Sequence, residues 1–352
     1  MFESADAAAT AQIEAGPRGG SRSVWSWLLG AALSAVLLYF AVRGVDWKNV
    51  WHTIAGARVR YIAAALCATS FSFFLRSIRW RILLNAEGRF SIGMVFWINM
   101  AGYLGNNFLP ARAGEFLRSF LISRHSRLSK TYVLTTALSE RMMDVVALVL
   151  ASSVVLMGIE PKPRWMADVS RTMALIAGCG VVAVIALPHT GGLLNTVLRR
   201  IPMPVRLREL LLGLTEQVLM GLSAFHNWGR LAGFILFTAL IWTSDAVGVI
   251  VGAYALGLQI SFPVALLLLT GLGLGSALPS TPGYVGIYQM AAVTVLTPFG
   301  ISRDGAMAYI LVSQALGYLV IVAFGLPGLY RYSGKGDQRQ RIGSVPSDKI
   351  AR

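Results

Sequence analysis

GYLGNNFLPARAGEFLR, Gly102 to Arg118, interrupts an apolar run at what should be membrane depth. Asn106, Asn107 and Pro110 break the run. Arg112, Glu115 and Arg118 then follow at three-residue spacing, which on a helix sets them along one stripe. The second half of the chain carries an echo, GLGSALPSTPGYVG, from Gly273 to Gly286. In both stretches Leu-Pro is followed, after three residues, by glycine: Leu109-Pro110 then Gly114, Leu278-Pro279 then Gly283. Paired Gly/Pro-interrupted hydrophobic segments in corresponding halves of a transporter point to a substrate site.

Composition sets the class. The chain has 352 residues, 55% hydrophobic and 13% charged, against about 25% charged in an ordinary soluble domain. Its long apolar runs describe an all-α polytopic membrane protein. The formal net charge of +15 lies mainly in short loops between apolar spans, where it reads as an orientation signal and contact with anionic lipid rather than nucleic-acid binding. Cys67 and Cys179 fall inside apolar spans and read as small buried hydrophobes. His52, His125, His189 and His226 have no ligand spacing and read as solvated, so no metal site and no cofactor is expected.

Taken in order, residues 1–22 read as a disordered cytoplasmic tail, 23–332 as the membrane domain and 333–352 as a basic cytoplasmic tail. The run Trp25 to Val42 is too long for a signal-peptide core and has no small-residue cleavage site after it. Six full spans are expected: Trp25–Val42, Tyr61–Leu75, Tyr132–Ile159, Thr172–Leu187, Leu231–Tyr254 and Gly305–Tyr330. Arg206 to Phe225 has helical leucine spacing suited to an interfacial helix. The two Leu-Pro stretches are read as re-entrant or broken helix pairs. If both crossed completely, the count would be eight spans. With the N-terminus inside, 22 of the 31 Lys and Arg fall on the inner side, obeying the positive-inside rule. The first hairpin then enters from the cytoplasm and the second from outside, as an inverted repeat requires.

Broken backbone at membrane depth needs protein or a wet cavity around it. Asn106 and Asn107 suit a helix end, because Asn tolerates the left-handed conformation, and Pro110 suits a fresh start. Thr281 can cap the next helix, with Pro282 at its first position. Each restarted helix would offer free N–H groups and a positive dipole end to phosphate, with Arg112 and Arg118 as further donors. Asn106, Asn107, Pro110, Arg112, Glu115, Arg118, Pro279, Ser280, Pro282 and Gly283 are therefore the candidate substrate-binding residues.

Glu140, Arg141, Asp144 and Asp245 are candidates for charge balance or proton coupling, since charges inside a span usually pair or mark a pathway. Arg141 and Asp144 can pair, or the group can lock its span to the first hairpin through Arg112 or Arg118. Asp245 has no basic residue within its own span. It can be neutral by burial, paired with a hairpin arginine, or a proton relay. The opposing reading is that all these groups only pack helices. No catalytic motif is present, so no enzyme activity is expected.

Three motifs together resemble the lysylphosphatidylglycerol synthase transmembrane-region family, the flippase-like domain also found without its synthetase. They are Asn-x-x-Leu-Pro-x-Arg-x-Gly-Glu-x-x-Arg (Asn106 to Arg118), Glu-Arg-x-x-Asp (Glu140 to Asp144) and Pro-Ser-x-Pro-Gly-x-x-Gly (Pro279 to Gly286). The resemblance spans about residues 25 to 330. It implies a multi-pass protein of the bacterial cytoplasmic membrane that moves a phospholipid, aminoacyl-lipid or isoprenoid lipid between leaflets, with both termini cytoplasmic. Partners would be membrane lipids and a lipid-modifying enzyme, and the Gly-rich spans permit a homo-oligomer. The alternatives are a non-transporting accessory that scaffolds a lipid-modifying enzyme, and a small-solute or ion exchanger.

Overall fold

The computed structural model describes residues 20–109, 113–158, 227–276 and 282–334, with scattered positions between 168 and 213. The described residues form helices and turns only. In chain order the helices are α1 (Gly20–Val42), α2 (Trp47–Ala55), α3 (Val59–Leu84), α4 (Ile92–Phe108), α5 (Gly114–Arg124), α6 (Lys130–Gly158), α7 (Trp228–Ala255), α8 (Phe262–Ser276), α9 (Ile287–Leu296) and α10 (Arg303–Ser333). Short 3₁₀ turns at Pro282–Tyr284 and Thr297–Phe299 flank α9. This is the expected all-α polytopic membrane architecture.

Four helices, α3, α6, α7 and α10, are long and apolar enough to cross a membrane. Their 26 to 31 residues give about 39 to 47 Å at 1.5 Å per residue, against a hydrocarbon core of about 30 Å. The chain turns by 83° from α1 into α2. Asp46 caps α2, accepting from the Lys48 and Asn49 amides, and Trp47 and Trp51 remain exposed. Such a helix suits the membrane interface, where tryptophan concentrates. Of the six expected spans, Thr172–Leu187 lies mostly outside the described residues, as do the expected interfacial helix and both tails.

Two internal halves are visible. α3, the α4–α5 pair and α6 run in the order long, short, short, long; α7, the α8–α9 pair and α10 repeat it. Contacts fix the directions. At one end of the bundle Arg81 donates to the Phe90 carbonyl at 2.6 Å, Tyr132 to the Leu83 carbonyl at 3.3 Å and Arg124 to the Ser333 carbonyl at 3.3 Å. At the other, the Arg58 amide donates to the Ala255 carbonyl at 2.8 Å and the Asp46 amide to Asp304 at 2.9 Å. So α3 and α7 are antiparallel, as are α6 and α10. The α4–α5 hairpin starts and finishes at the first end, and the α8–α9 hairpin at the second. The halves are inverted relative to one another, and neither hairpin crosses. α4 packs against the Pro282–Tyr284 turn, so the hairpins meet inside the bundle.

The breaks differ from the sequence expectation. α4 continues through Asn106 and Asn107 to Phe108. Leu109 is then extended at φ −96° and ψ 151°, the conformation that a following proline imposes. The second restart comes at Ile287, not Pro282. Gly283, Tyr284 and Gly286 all have positive φ, which a right-handed helix cannot contain. Close approach holds the first hairpin together. A β-carbon on Gly105 would lie 2.8 Å from the Gly114 α-carbon, and one on Gly102 2.9 Å from the Arg118 β-carbon.

Candidate functional site

Eight charged side chains link α3, α5, α6 and α7 in one alternating chain. Asp245 meets Arg76 at 2.5 Å, and Arg76 also approaches Asp144 at 3.8 Å. Arg79 holds Asp144 at 2.6 Å and Glu140 at 3.0 Å. Arg118 joins Glu140 at 3.2 Å to Glu115 at 2.5 Å. Arg141 closes the chain on Glu115 at 3.1 Å. Four arginines face four carboxylates, so the set carries no formal net charge. That neutrality is what makes it tolerable, because an unpaired charge in apolar surroundings costs several kcal/mol.

The middle of the chain is sealed: the Arg79, Glu140 and Arg118 side chains are at most 2% exposed, whereas the Arg141 and Asp245 ends reach 33% and 17%. Each guanidinium also lies over an aromatic ring: Arg76 on Trp242, Arg79 on Phe234, Arg118 on Trp80 and Arg141 on Tyr103, at 4.6 to 5.5 Å. Such stacking favours arginine over lysine here. Neutral groups complete the shell. Thr238 accepts from Arg79 at 3.1 Å, and Asn99 accepts from Arg118 at 2.9 Å while donating to Ser77 at 3.2 Å.

Both exposed ends of the chain open on a cavity of about 390 Å³ between the hairpin tips. Asn106 and Asn107 reach it from the last turn of α4, Glu115 from the first turn of α5, Ser276 from the end of α8, and Gly283 from the second break. The second tip is tied down by amides. Gln289 accepts from the Gly286 amide at 2.7 Å and donates to Gln314 at 2.6 Å. Gln314 and Tyr318 both donate to the Gly283 carbonyl, at 3.1 and 2.6 Å. Gly283 is at φ 78° with Tyr318 against it, leaving no space for a side chain.

The structure brings together Asn106, Asn107, Glu115, Arg141, Asp144, Asp245 and Gly283 around the cavity. Arg118 and Glu140 stand behind its wall, engaged with each other. Pro110, Arg112, Pro279 and Ser280, with Thr281, lie outside the described residues; of Pro282 only the backbone is described. Several pairings differ from expectation. Arg141 pairs with Glu115 of the hairpin, while Asp144 is taken by Arg79. Asp245 meets Arg76 of α3, not a hairpin arginine.

Arg76 and Arg79 are the residues that sequence reasoning missed. Next to Arg81 they read as a basic loop, yet α3 runs on to Leu84, burying Arg79 fully and leaving Arg76 half-buried. Their three-residue spacing, with Ile82, Leu83 and Leu84 continuing the apolar pattern, was the available signal. Two smaller expectations are also corrected. Cys67 is exposed on α3 rather than buried. His125 is half-buried, with Nδ1 2.9 Å from the Leu121 carbonyl and its ring against Tyr332. His189, His226 and Cys179 are outside the described residues.

A helical membrane protein with inverted halves and an ion-paired central cavity is the class this geometry defines. Within that class, residues 27–325 match the model of the lysylphosphatidylglycerol synthase transmembrane region, and the chain belongs to that family. It is also 26% identical over 331 residues to a protein of Haloferax volcanii named glycosyltransferase AglD, covering 84% of this chain but 53% of that protein. The chain thus spans about half the length of that relative. Two proteins of Methanothermobacter thermautotrophicus named UPF0104 membrane protein are 23% and 20% identical. Each alignment covers 86% of this chain, and 91% and 93% of the respective relative.

Proposed function

We propose that this chain is a flippase-like lipid translocase, with the lipid's polar head entering the cavity between the hairpins while the acyl or isoprenoid chains stay in the bilayer. Keeping those chains in lipid avoids about 0.8 kcal/mol per CH₂ of exposure to water. The observation that carries the reading is the meeting of two hairpins from opposite ends at one cavity, a site that either face of the bundle could open onto by rocking one half against the other. The eight-residue charge chain would hold the α4–α5 hairpin to α6 and, through Arg79 and Arg76, to α3 and α7. Glu140, Asp144 and Asp245 then act as charge balance for Arg76, Arg79, Arg118 and Arg141, or carry protons.

The end with Arg81, Arg89, Arg124, Arg127, Lys130, Arg230 and Arg331 is the more basic, so the positive-inside rule sets it in the cytoplasm. With the family's bacterial members as the guide, the setting is the bacterial cytoplasmic membrane, both termini inside. No enzyme activity and no cofactor are included in the proposal. The test is leaflet transfer of labelled phospholipids and polyprenyl lipids by reconstituted protein. Glu115→Gln and Arg112→Ala should each slow transfer by tenfold or more, about 1.4 kcal/mol of barrier, in protein that still melts cooperatively. Transfer at the unaltered rate by both variants would remove these residues from the site.

A second reading has one observation in its favour: the chain matches about half of a protein named as a glycosyltransferase. On that reading the membrane domain is an accessory that scaffolds a lipid-modifying enzyme. The same substitutions would then lower stability without altering any transfer by the purified protein.

A further inference from the structure

Building on the translocase reading, we infer that the headgroup admitted to the cavity is uncharged and hydroxyl-rich, the glycosyl end of a lipid, rather than a phosphate or an ammonium group. Each of the four arginines in the charge chain is already engaged by a carboxylate. Among the described residues, the cavity itself is lined by Arg76 and Arg141 against Glu115, Asp144 and Asp245. A phosphate would find neither of these two guanidiniums free, since Asp245 holds Arg76 and Glu115 holds Arg141. An ammonium would compete with arginines for carboxylates they hold at 2.5 to 3.1 Å.

At the two restarted helices, where an anion would most readily bind, the chain places a carboxylate or an amide of its own. α5 carries Glu115 in its first turn, which takes advantage of the positive dipole end. At the start of α9 the Gly286 amide already donates to Gln289. What the wall does offer is flat rings and neutral hydrogen-bonding groups. Tyr284 and Tyr288 stack with centroids 4.9 Å apart and planes within 10°, and with Trp242 they present aromatic surface to the cavity. The C–H faces of a sugar ring pack on such electron-rich surfaces.

Three lining groups have no hydrogen-bond partner among the described residues: the Trp242 indole N–H, the Ser72 hydroxyl and the Asn106 carbonyl oxygen. Ser72 is 3% exposed. A buried polar atom without a partner is costly, and a donor, a hydroxyl and an acceptor around one cavity are the complement of a polyol.

The experiment uses the full chain in phosphatidylcholine vesicles with one of three fluorescent lipids at trace level: glucosyl-diacylglycerol, phosphatidylglycerol or phosphatidylethanolamine. Dithionite quenching reads the rate at which each changes leaflet. The glucosyl lipid should cross at least about tenfold faster than the other two, the discrimination a site built to hydrogen-bond hydroxyls achieves readily. Ser72→Ala and Trp242→Phe, which remove the hydroxyl and the indole N–H, should each slow it about fivefold in protein that still melts cooperatively. Equal or faster transfer of either phospholipid overturns the headgroup inference and leaves the translocase reading standing. No transfer of any of the three overturns both. Unchanged glucosyl transfer in both well-folded variants removes this wall from the site.

Discussion

Arg79 has no exposed surface and binds two carboxylates in a fork, through both terminal guanidinium nitrogens. Truncating it leaves Glu140 to Arg118 and Asp144 to Arg76 at 3.8 Å, with one carboxylate in excess in the buried middle. Arg79→Ala should lower stability by about 3–5 kcal/mol, the typical cost of breaking a buried pair from one side, read as a fall in the thermal midpoint in detergent. Arg79→Lys should recover little, because a single ammonium cannot reproduce the bidentate contact. Arg141→Ala, at the open end of the chain, should cost about 1 kcal/mol or less, as solvent-screened pairs do. If the two alanine variants melted alike, the distinction between the sealed middle and the open end would fail. Glu115, Glu140, Arg141, Asp144 and Asp245 were legible as charges in or beside apolar runs. Arg76 and Arg79 were not, because a basic cluster at the end of an apolar run looks the same whether it faces solvent or a neighbouring helix.

For the elements, the re-entrant hairpins make a directional prediction. Single cysteines at Glu87 and Ser126, in a background without Cys67 and Cys179, should react with an impermeant maleimide from one side of the membrane. Cysteines at Ser261 and Ser302 should react from the other. Opposite labelling within either pair would mean that a hairpin crosses. Gly105→Leu should separate α4 from α5, since a β-carbon there already meets the Gly114 backbone at 2.8 Å. The expected cost is about 1–3 kcal/mol, as for other overpacked sites, visible as a lower melting temperature. The breaks could be read from sequence because proline acts locally on its own backbone and its predecessor's. The second restart could not. Tyr284 at φ 59° is a conformation that its side chain does not announce, held by Tyr288 stacking and by the bonds to the Gly283 carbonyl.

Across the whole molecule the two halves are joined where Arg76 of α3 meets Asp245 of α7. Arg76→Asp and Asp245→Arg should each destabilise the fold, and the double exchange should restore part of the loss. The coupling expected for directly contacting residues is about 0.5–3 kcal/mol, measured as a double-mutant cycle of melting temperatures. Additive losses would show that the pair does not join the halves. The sequence alone determined that this is a helical membrane protein, that it breaks twice at matching places, and that Glu140, Arg141, Asp144 and Asp245 lie within apolar spans. Those features depend on hydropathy and proline, which act over a few neighbouring residues. Only the tertiary structure decided which arginine meets which acid and where the cavity lies. The pairs join residues 61, 65 and 169 positions apart. Their meeting depends on how long helices cross and rotate, and that is set by packing over the whole bundle.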